Sequence, residues 1–148
     1  FASVLMIRSK IDLENLVNNR DSAYFKSNGE RRIAKFFDEI QIKYEYEAGV
    51  LVRDGHQKQR LWYLDFYLPE FGMYVEYYGI LNCPDYDKGV RIKRKIFSKM
   101  GMDVIEIYPQ MFAENWKAYI LNEIGDRVQK QYDRLVSIND NYRFFQDY

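Results

Sequence analysis

Two acidic residues lie inside apolar, aromatic segments of this chain, where a charged side chain is costly. Asp65 interrupts the run LWYLDFYL at 61–68, and Glu76 interrupts MYVEYY at 73–78. Aspartate is depleted in β-strands, and a buried carboxylate without a partner is strongly disfavoured. Carboxylates held close together are typical oxygen ligands of divalent cations. The two acids are therefore the first candidates for a chemically active site.

The spacing of the two acids predicts that they face each other. The segment PEFG at 69–72 is typical of a turn. A symmetric turn pairs residue 68 with residue 73 and, in the same register, Asp65 with Glu76, with side-chain roots about 5 Å apart. Such a pair needs a positive charge between its members, and a divalent metal is the natural one. Two alternatives remain open: an edge hairpin with both acids in solvent, and a slip of one residue.

A third acid lies in the segment SNGE at 27–30. Ser27 followed three residues later by Glu30 has the spacing of a capping box at the start of a helix. Glu30 also shares a helical face with Ile33 and Phe37, so we expect it to point inward. The capping role and a role in the site are compatible.

A basic segment at 86–100 has helical spacing and contains one unusual lysine. Lys93 lies among apolar residues at −3, +3, +4 and +7, namely Val90, Ile96, Phe97 and Met100. A lysine in such a stripe either extends its amine outward to solvent or delivers it to a buried acid. The other cations predict either a solvated face or a surface that contacts phosphates: Lys88, Arg91, Arg94, Lys95 and Lys99.

The order of predicted elements defines the fold class. Hydrophobic periodicity predicts, in order, a loosely helical segment at 3–18, a helix from 27 to 40, strands from 41, at 61–68 and at 73–78, the basic helix at 86–100, a strand at 103–108 and a long helix at 114–136. A crossover helix between the third and fourth strands makes those two parallel. We therefore expect an α/β domain with a central mixed sheet of about four strands, flanked by helices, with a long C-terminal helix.

Composition limits the remaining possibilities. The chain has 148 residues, 47% of them hydrophobic, with 22 basic and 22 acidic residues. This balance argues against disorder and against a generic binder of polyanions. The single Cys83 excludes an internal disulfide framework and a cysteine-based zinc site. Because no apolar run is long enough for a membrane span and no signal peptide is visible, we expect an intracellular protein, in cytoplasm or nucleoid, without a membrane partner.

These motifs, taken together, resemble the PD-(D/E)xK nuclease superfamily, particularly its small restriction- and repair-type members and helicase-associated nuclease domains with a Ser-x-Gly-Glu helix. The matching segments, in order, are SNGE at 27–30, LDFYLP at 64–69, VEYYG at 75–79, Tyr86 followed seven residues later by Lys93, and DVIEI at 103–107. The resemblance implies a restriction-endonuclease-like fold and one nuclease domain over 1–148. Its catalytic core spans 27–109, between an N-terminal helical segment (1–26) and a C-terminal helical extension (110–148).

The resemblance also implies the roles of the acids and the cofactor. Asp65 and Glu76 correspond to metal ligands, and Glu30 to an additional acidic ligand, direct or through water. The metal implied is Mg²⁺, with Mn²⁺ as a substitute. The family usually places a lysine two residues after the second acid, where this chain has Tyr78. We expect Lys93 to supply the amine instead, with Lys95 as the second choice.

The other cations of the basic segment, together with Tyr78, are expected to contact DNA. Arg91, Arg94, Lys95, Lys99 and Lys88 are candidates for phosphate contacts. Tyr78 falls on the same strand face as Glu76, so it either hydrogen-bonds the attacking water or a phosphate, or packs under the crossover helix.

The leading hypothesis is a Mg²⁺-dependent DNA endonuclease. One alternative is a catalytically inactive member of the same fold that binds DNA or serves in assembly, and another is an α/β interaction domain whose 26 aromatic residues form an oligomer interface. The chain begins at Phe1 rather than at Met. We expect either a longer parent chain or a homodimer as its context.

Overall fold

The computed structural model describes residues 24–80 and 82–146, with side chains as far as 143. The helical segment predicted at 3–18, and all but the last three residues of the predicted segment 1–26, lie outside the described residues. The elements are α1 (Asn28–Glu39), β1 (Glu45–Arg53), β2 (Gln59–Leu68), β3 (Met73–Tyr77), α2 (Pro84–Lys99), β4 (Val104–Ile107), a 3₁₀ helix (Pro109–Ala113) and α3 (Trp116–Gln146).

The four strands form one mixed sheet in the order β1-β2-β3-β4. β1 pairs antiparallel with β2, and β2 antiparallel with β3, whereas β3 and β4 are parallel because α2 connects them. The predicted fold class, a mixed sheet flanked by helices with a long C-terminal helix, is confirmed.

The main core lies on the sheet face that α1 and α3 cover. Phe66 of β2 pairs with Val75 of β3, and both side chains are fully buried in this core. Phe37 of α1 meets the Phe66 ring edge-on, with ring centroids 5.8 Å apart. Because successive side chains of a strand alternate between faces, Glu76 points to the opposite face, toward α2.

α1 begins as predicted and ends one residue earlier. The Ser27 hydroxyl accepts a hydrogen bond from the Glu30 backbone N–H at 3.1 Å, which confirms the N-cap. Ile40, predicted within the helix, is its C-cap and is exposed, and Gln41 adopts a positive φ of 60°. The Ile42 N–H then bonds back to the Phe37 carbonyl, which delays β1 to Glu45 instead of residue 41.

β2 is longer than β3, and the two strands separate at Asp65. β2 pairs with β3 only from Phe66 to Leu68, so its residues 59–64 pair with β1 alone. The β1–β2 ladder is also interrupted at this level, where Glu47 of β1 has a φ of 53°. We call the extension formed by residues 48–53 and 59–64 the β1–β2 arm.

α3 packs on the domain with its first half only. Trp116, Ile120 and Ile124 are buried as predicted, whereas Val128, predicted on the same face, is 37% exposed. The helix continues beyond the predicted end at 136 to Gln146, and every residue from 132 to 143 is exposed. Among the described residues, no helix is long and apolar enough to cross a membrane.

Candidate active site

Asp65 and Glu76 meet where β2 and β3 separate. The pairs Phe66–Val75 and Leu68–Met73 have the register predicted from the turn, and its continuation places the two acids opposite each other. The Asp65 backbone N–H donates to Glu76 Oε2 at 3.0 Å, and the Tyr77 N–H donates to Asp65 Oδ2 at 2.7 Å. The two carboxylates therefore accept hydrogen bonds from the strand backbone, and the alternative of a slip by one residue is wrong.

The surroundings of the two acids disfavour two negative charges. Glu76 is only 4% exposed and Asp65 is half-buried, so the alternative of an edge hairpin with both acids in solvent is wrong. Burial, together with the neighbouring Glu76 charge, raises the pKa of Asp65 to about 7. Glu30 acts in the same direction, so its charge lies within electrostatic range of Asp65.

Lys93 delivers its amine to this pair. Its Nζ lies 2.6 Å from Glu76 Oε1, and its side chain is 36% exposed. Val90, Ile96 and Phe97 of the same helix are buried, which turns the lysine toward the sheet, although Met100 is exposed. Lys93 therefore directs its amine to a buried acid rather than outward to solvent.

A second ion pair lies beside the first. Glu106 of β4 is in register with Glu76 of β3, and Arg94, adjacent to Lys93 in sequence, binds the Glu106 carboxylate with two guanidinium nitrogens at 2.5–2.9 Å. Arg94 also contacts the Tyr108 hydroxyl. The Arg94 guanidinium is therefore engaged by an acid on the sheet, which disfavours the predicted contact with DNA; that contact stays a prediction.

Glu30 is held by partners of its own. It is 7% exposed, and its Oε2 accepts hydrogen bonds from the Tyr46 hydroxyl at 2.5 Å and from the Lys26 N–H at 3.1 Å. Burial, together with the hydrogen bond that the Tyr46 hydroxyl donates to Glu30, raises the pKa of Tyr46. Within 24–80 and 82–146, no three acidic, histidine or cysteine side chains are grouped closely enough to hold a metal. Glu30 thus does not form a three-acid cluster with Asp65 and Glu76, and a role through water stays a prediction.

Tyr77 positions the candidate site, and sequence reasoning assigned it no role. A Cβ added at Gly29 would lie 2.2–2.7 Å from atoms of the Tyr77 ring, and one at Gly79 would lie 2.9 Å from it. The ring therefore occupies space that two glycines leave free. This contact ties the start of α1 to the residue whose N–H holds Asp65. Gly29 lies in the motif SNGE and Gly79 in the motif VEYYG. These two glycines are the sequence signal for the contact with Tyr77.

Tyr78 is a packing residue. Its side chain is 2% exposed and lies against Tyr86 and Tyr108, with ring centroids at 6.5 Å and 5.5 Å. Lys93 Nζ lies 5.8 Å from the centre of its ring. A side chain this buried packs under the crossover helix, as one of the two alternatives predicts, and a contact of Tyr78 with DNA stays a prediction.

Four cations of α2 form no ion pair with any residue in the described part of the chain. Lys88, Arg91, Lys95 and Lys99 are all exposed. Their spacing of three, four and four residues places them in one row along the helix, roughly 150° around the axis from Lys93. We call this row the basic stripe. Its contact with DNA stays a prediction.

No protein-family model matches this chain, and the curated proteins include none with significant similarity to it. The resemblance to the PD-(D/E)xK superfamily therefore depends on the motifs and on the geometry described above.

Proposed function

We propose that this protein is a metal-dependent DNA endonuclease that hydrolyses phosphodiester bonds. One observation carries the proposal: Lys93 Nζ lies 2.6 Å from Glu76 Oε1, while Glu76 Oε2 accepts the Asp65 backbone N–H. Two acids and one amine from three different elements thus converge at the point where two strands separate. Packing alone does not require charged groups there, because a buried ion pair is rarely more stable than apolar residues.

The acids are chemically suited to Mg²⁺, with Mn²⁺ as a substitute. Mg²⁺ is commonly bound by one or two carboxylates together with waters and substrate phosphates, so a third acid is not needed. Asp65 Oδ1 accepts no hydrogen bond from any residue that the structure describes, and the pKa of Asp65 is raised by its negative neighbour. Asp65 and Glu76 would hold the ion, which when bound makes water a better nucleophile and polarises the phosphate.

The chain itself supplies the remaining groups. The Lys93 amine stands beside the acids and is partly open to solvent, so it can orient a water or stabilise negative charge on a phosphate oxygen. The Tyr46 hydroxyl holds the Glu30 carboxylate in place. From this position Glu30 can contact the metal site through a bridging water.

DNA is expected to bind through its backbone. The basic stripe carries four exposed cations and contains no Asn or Gln with which to read adenine edges. It lies on the outer side of the helix that delivers Lys93, so the DNA must extend from the acids around α2 to reach it. Acting on cellular DNA, the protein would work inside the cell, in cytoplasm or nucleoid.

A second candidate is an inactive DNA-binding or assembly module of the same fold. Two features favour it. The family's lysine position is taken by the buried Tyr78, and Glu76 is already neutralised within the chain by Lys93.

Plasmid cleavage distinguishes the two candidates. The purified protein is incubated with supercoiled plasmid in Mg²⁺, and the same is done with Asp65→Asn and Glu76→Gln. Glu70→Gln, an exposed acid in the turn between the same strands, is the matched control. We expect nicking by the parent and the control and none by the two site variants. Equal nicking by all four proteins refutes the metal site, and DNA retention without cleavage by the parent supports the inactive module.

A further inference from the structure

A cavity of about 460 Å³ opens beside the candidate site. It lies between α2 and the β1–β2 arm, and Trp62 of the arm forms one wall. Lys93 also lines it, so the cavity and the acid pair share one side chain. The walls are mainly apolar and aromatic, with Tyr78 and Tyr86 among them.

Gly89 leaves one wall of the cavity without a side chain. The residues of α2 that line it are spaced around Gly89, which lies at the centre of that helical face. A Cβ built at Gly89 meets no atom within 4 Å. Glycine inside a helix costs about 1 kcal/mol relative to alanine, so the chain tolerates a less stable helix and keeps this space open.

The lining supplies polar groups for a planar ligand. Tyr78 is almost fully buried, and its hydroxyl has no hydrogen-bond partner in the described part of the chain. A polar edge on a ligand provides that partner after a small movement of the ring. Asp85 is exposed and contributes a carboxylate acceptor. Sites that bind small molecules usually have apolar and aromatic walls with a small number of polar groups.

We propose that this cavity receives one nucleobase of the DNA, either unpaired or extruded from the duplex, next to the phosphodiester that is cleaved. This proposal rests on the proposed nuclease function, because the shared Lys93 makes the adjoining ligand a nucleic acid. Aromatic side chains such as Trp62 and Tyr86 stack on any base, since every base has a flat π-face. Base-extruding enzymes use pockets of this kind.

The test compares two duplexes that differ at one nucleotide. One carries a single unpaired adenine, and the other has an abasic residue at that position with the same backbone. Dissociation constants are measured in Ca²⁺, and cleavage is measured separately in Mg²⁺. The variant Gly89→Leu places a bulky side chain at the wall of the cavity and obstructs it. Gly125→Leu is the matched control because Gly125 is also in a helix with open space around it.

We expect the parent and Gly125→Leu to bind the duplex with the unpaired base about tenfold more tightly than the abasic duplex, as stacking of one base permits. Gly89→Leu should bind the two equally and keep its melting temperature, since leucine favours helix. Equal binding by the parent, or an unchanged preference in Gly89→Leu, overturns the cavity proposal even if the parent cleaves DNA. If only Gly89→Leu loses the preference and the parent does not cleave DNA, the cavity binds a base but the proposed nuclease function is refuted.

Discussion

The Lys93 amine on α2 lies 2.6 Å from one oxygen of Glu76, whereas Asp65, opposite Glu76, has a backbone N–H as its hydrogen-bond donor. The two acids are therefore not equivalent in the metal-free protein. Glu76 has a positive partner in direct contact. Asp65 is left with the cost of burial and with a negative neighbour, which raises its pKa to about 7.

The raised pKa of Asp65 predicts a pH-dependent stability difference. Its ordinary pKa is 3.8, so between about pH 4 and pH 7 the folded protein binds more protons here than the unfolded chain does. The contribution of Asp65 to stability is therefore full below pH 4 and is lost as the pH rises through 7. Asp65→Asn still accepts from the Tyr77 N–H but does not ionise. We expect the melting temperature of Asp65→Asn in EDTA to rise relative to that of the parent as the pH increases from 4 to 7. A difference that stays constant over this range contradicts the prediction.

Lys93 and Lys95 are expected to fail in different ways. Lys93→Met keeps the apolar stem but removes the charge beside Glu76, so we expect cleavage at saturating DNA and Mg²⁺ to slow by about a hundredfold or more. DNA affinity should change little. Lys95 is exposed and lies roughly 200° further around the helix, so Lys95→Met should weaken binding modestly and leave the saturated rate intact. Single-turnover rates and binding curves measure the two effects separately. If Lys95→Met loses cleavage and Lys93→Met cleaves normally, α2 is rotated about its axis relative to this structure.

Arg91 and Arg94 provide a matched pair of substitutions. Arg91 is exposed in the basic stripe, whereas Arg94 is engaged by Glu106. Arg91→Gln should weaken binding to all DNA sequences alike and lower the slope of log K against log salt by about one unit. Arg94→Gln should leave that slope unchanged and reduce the free energy of unfolding by at most about 1 kcal/mol, because the pair is partly exposed. A lower slope for Arg94→Gln refutes this division.

Gly29 is expected to be intolerant of the smallest side chain. Alanine is the better helix former, but its Cβ would overlap the Tyr77 ring. We expect Gly29→Ala to lower the free energy of unfolding by about 1–3 kcal/mol, as overpacking does elsewhere. Gly125→Ala, in open space, should raise it by about 0.5–1 kcal/mol. Chemical denaturation measures both. In a Tyr77→Ala background, Gly29→Ala should cost much less than it does in the parent if the ring is the cause.

Local patterns predicted the elements and the pairing of the acids. The Ser27 cap and the register across the turn at 69–72 were available because each depends on residues close in sequence. Lys93 was identified for the same reason, since its apolar neighbours lie within one turn on either side of it.

Contacts between distant elements were not predictable from those patterns. Tyr46 was expected only as a strand residue, yet it holds Glu30 from another element. The ion pair of Arg94 with Glu106 depends on the parallel register of β4, which the residues around Arg94 do not reveal. The burial of Tyr78 depends in part on Tyr108, which lies after the crossover helix.

The exposed second half of α3 has a consequence for amide hydrogen exchange. Buried Trp116, Ile120 and Ile124 fix the start of the helix, so the hydrogen-bonded amides from 119 to 124 should open with the domain as a whole. From 132 to 143 every residue is exposed, and an isolated helix of that length is marginal in water. Its amides should therefore exchange through local fraying, orders of magnitude faster than those of the first turns, so that one continuous helix contains two regions of very different protection.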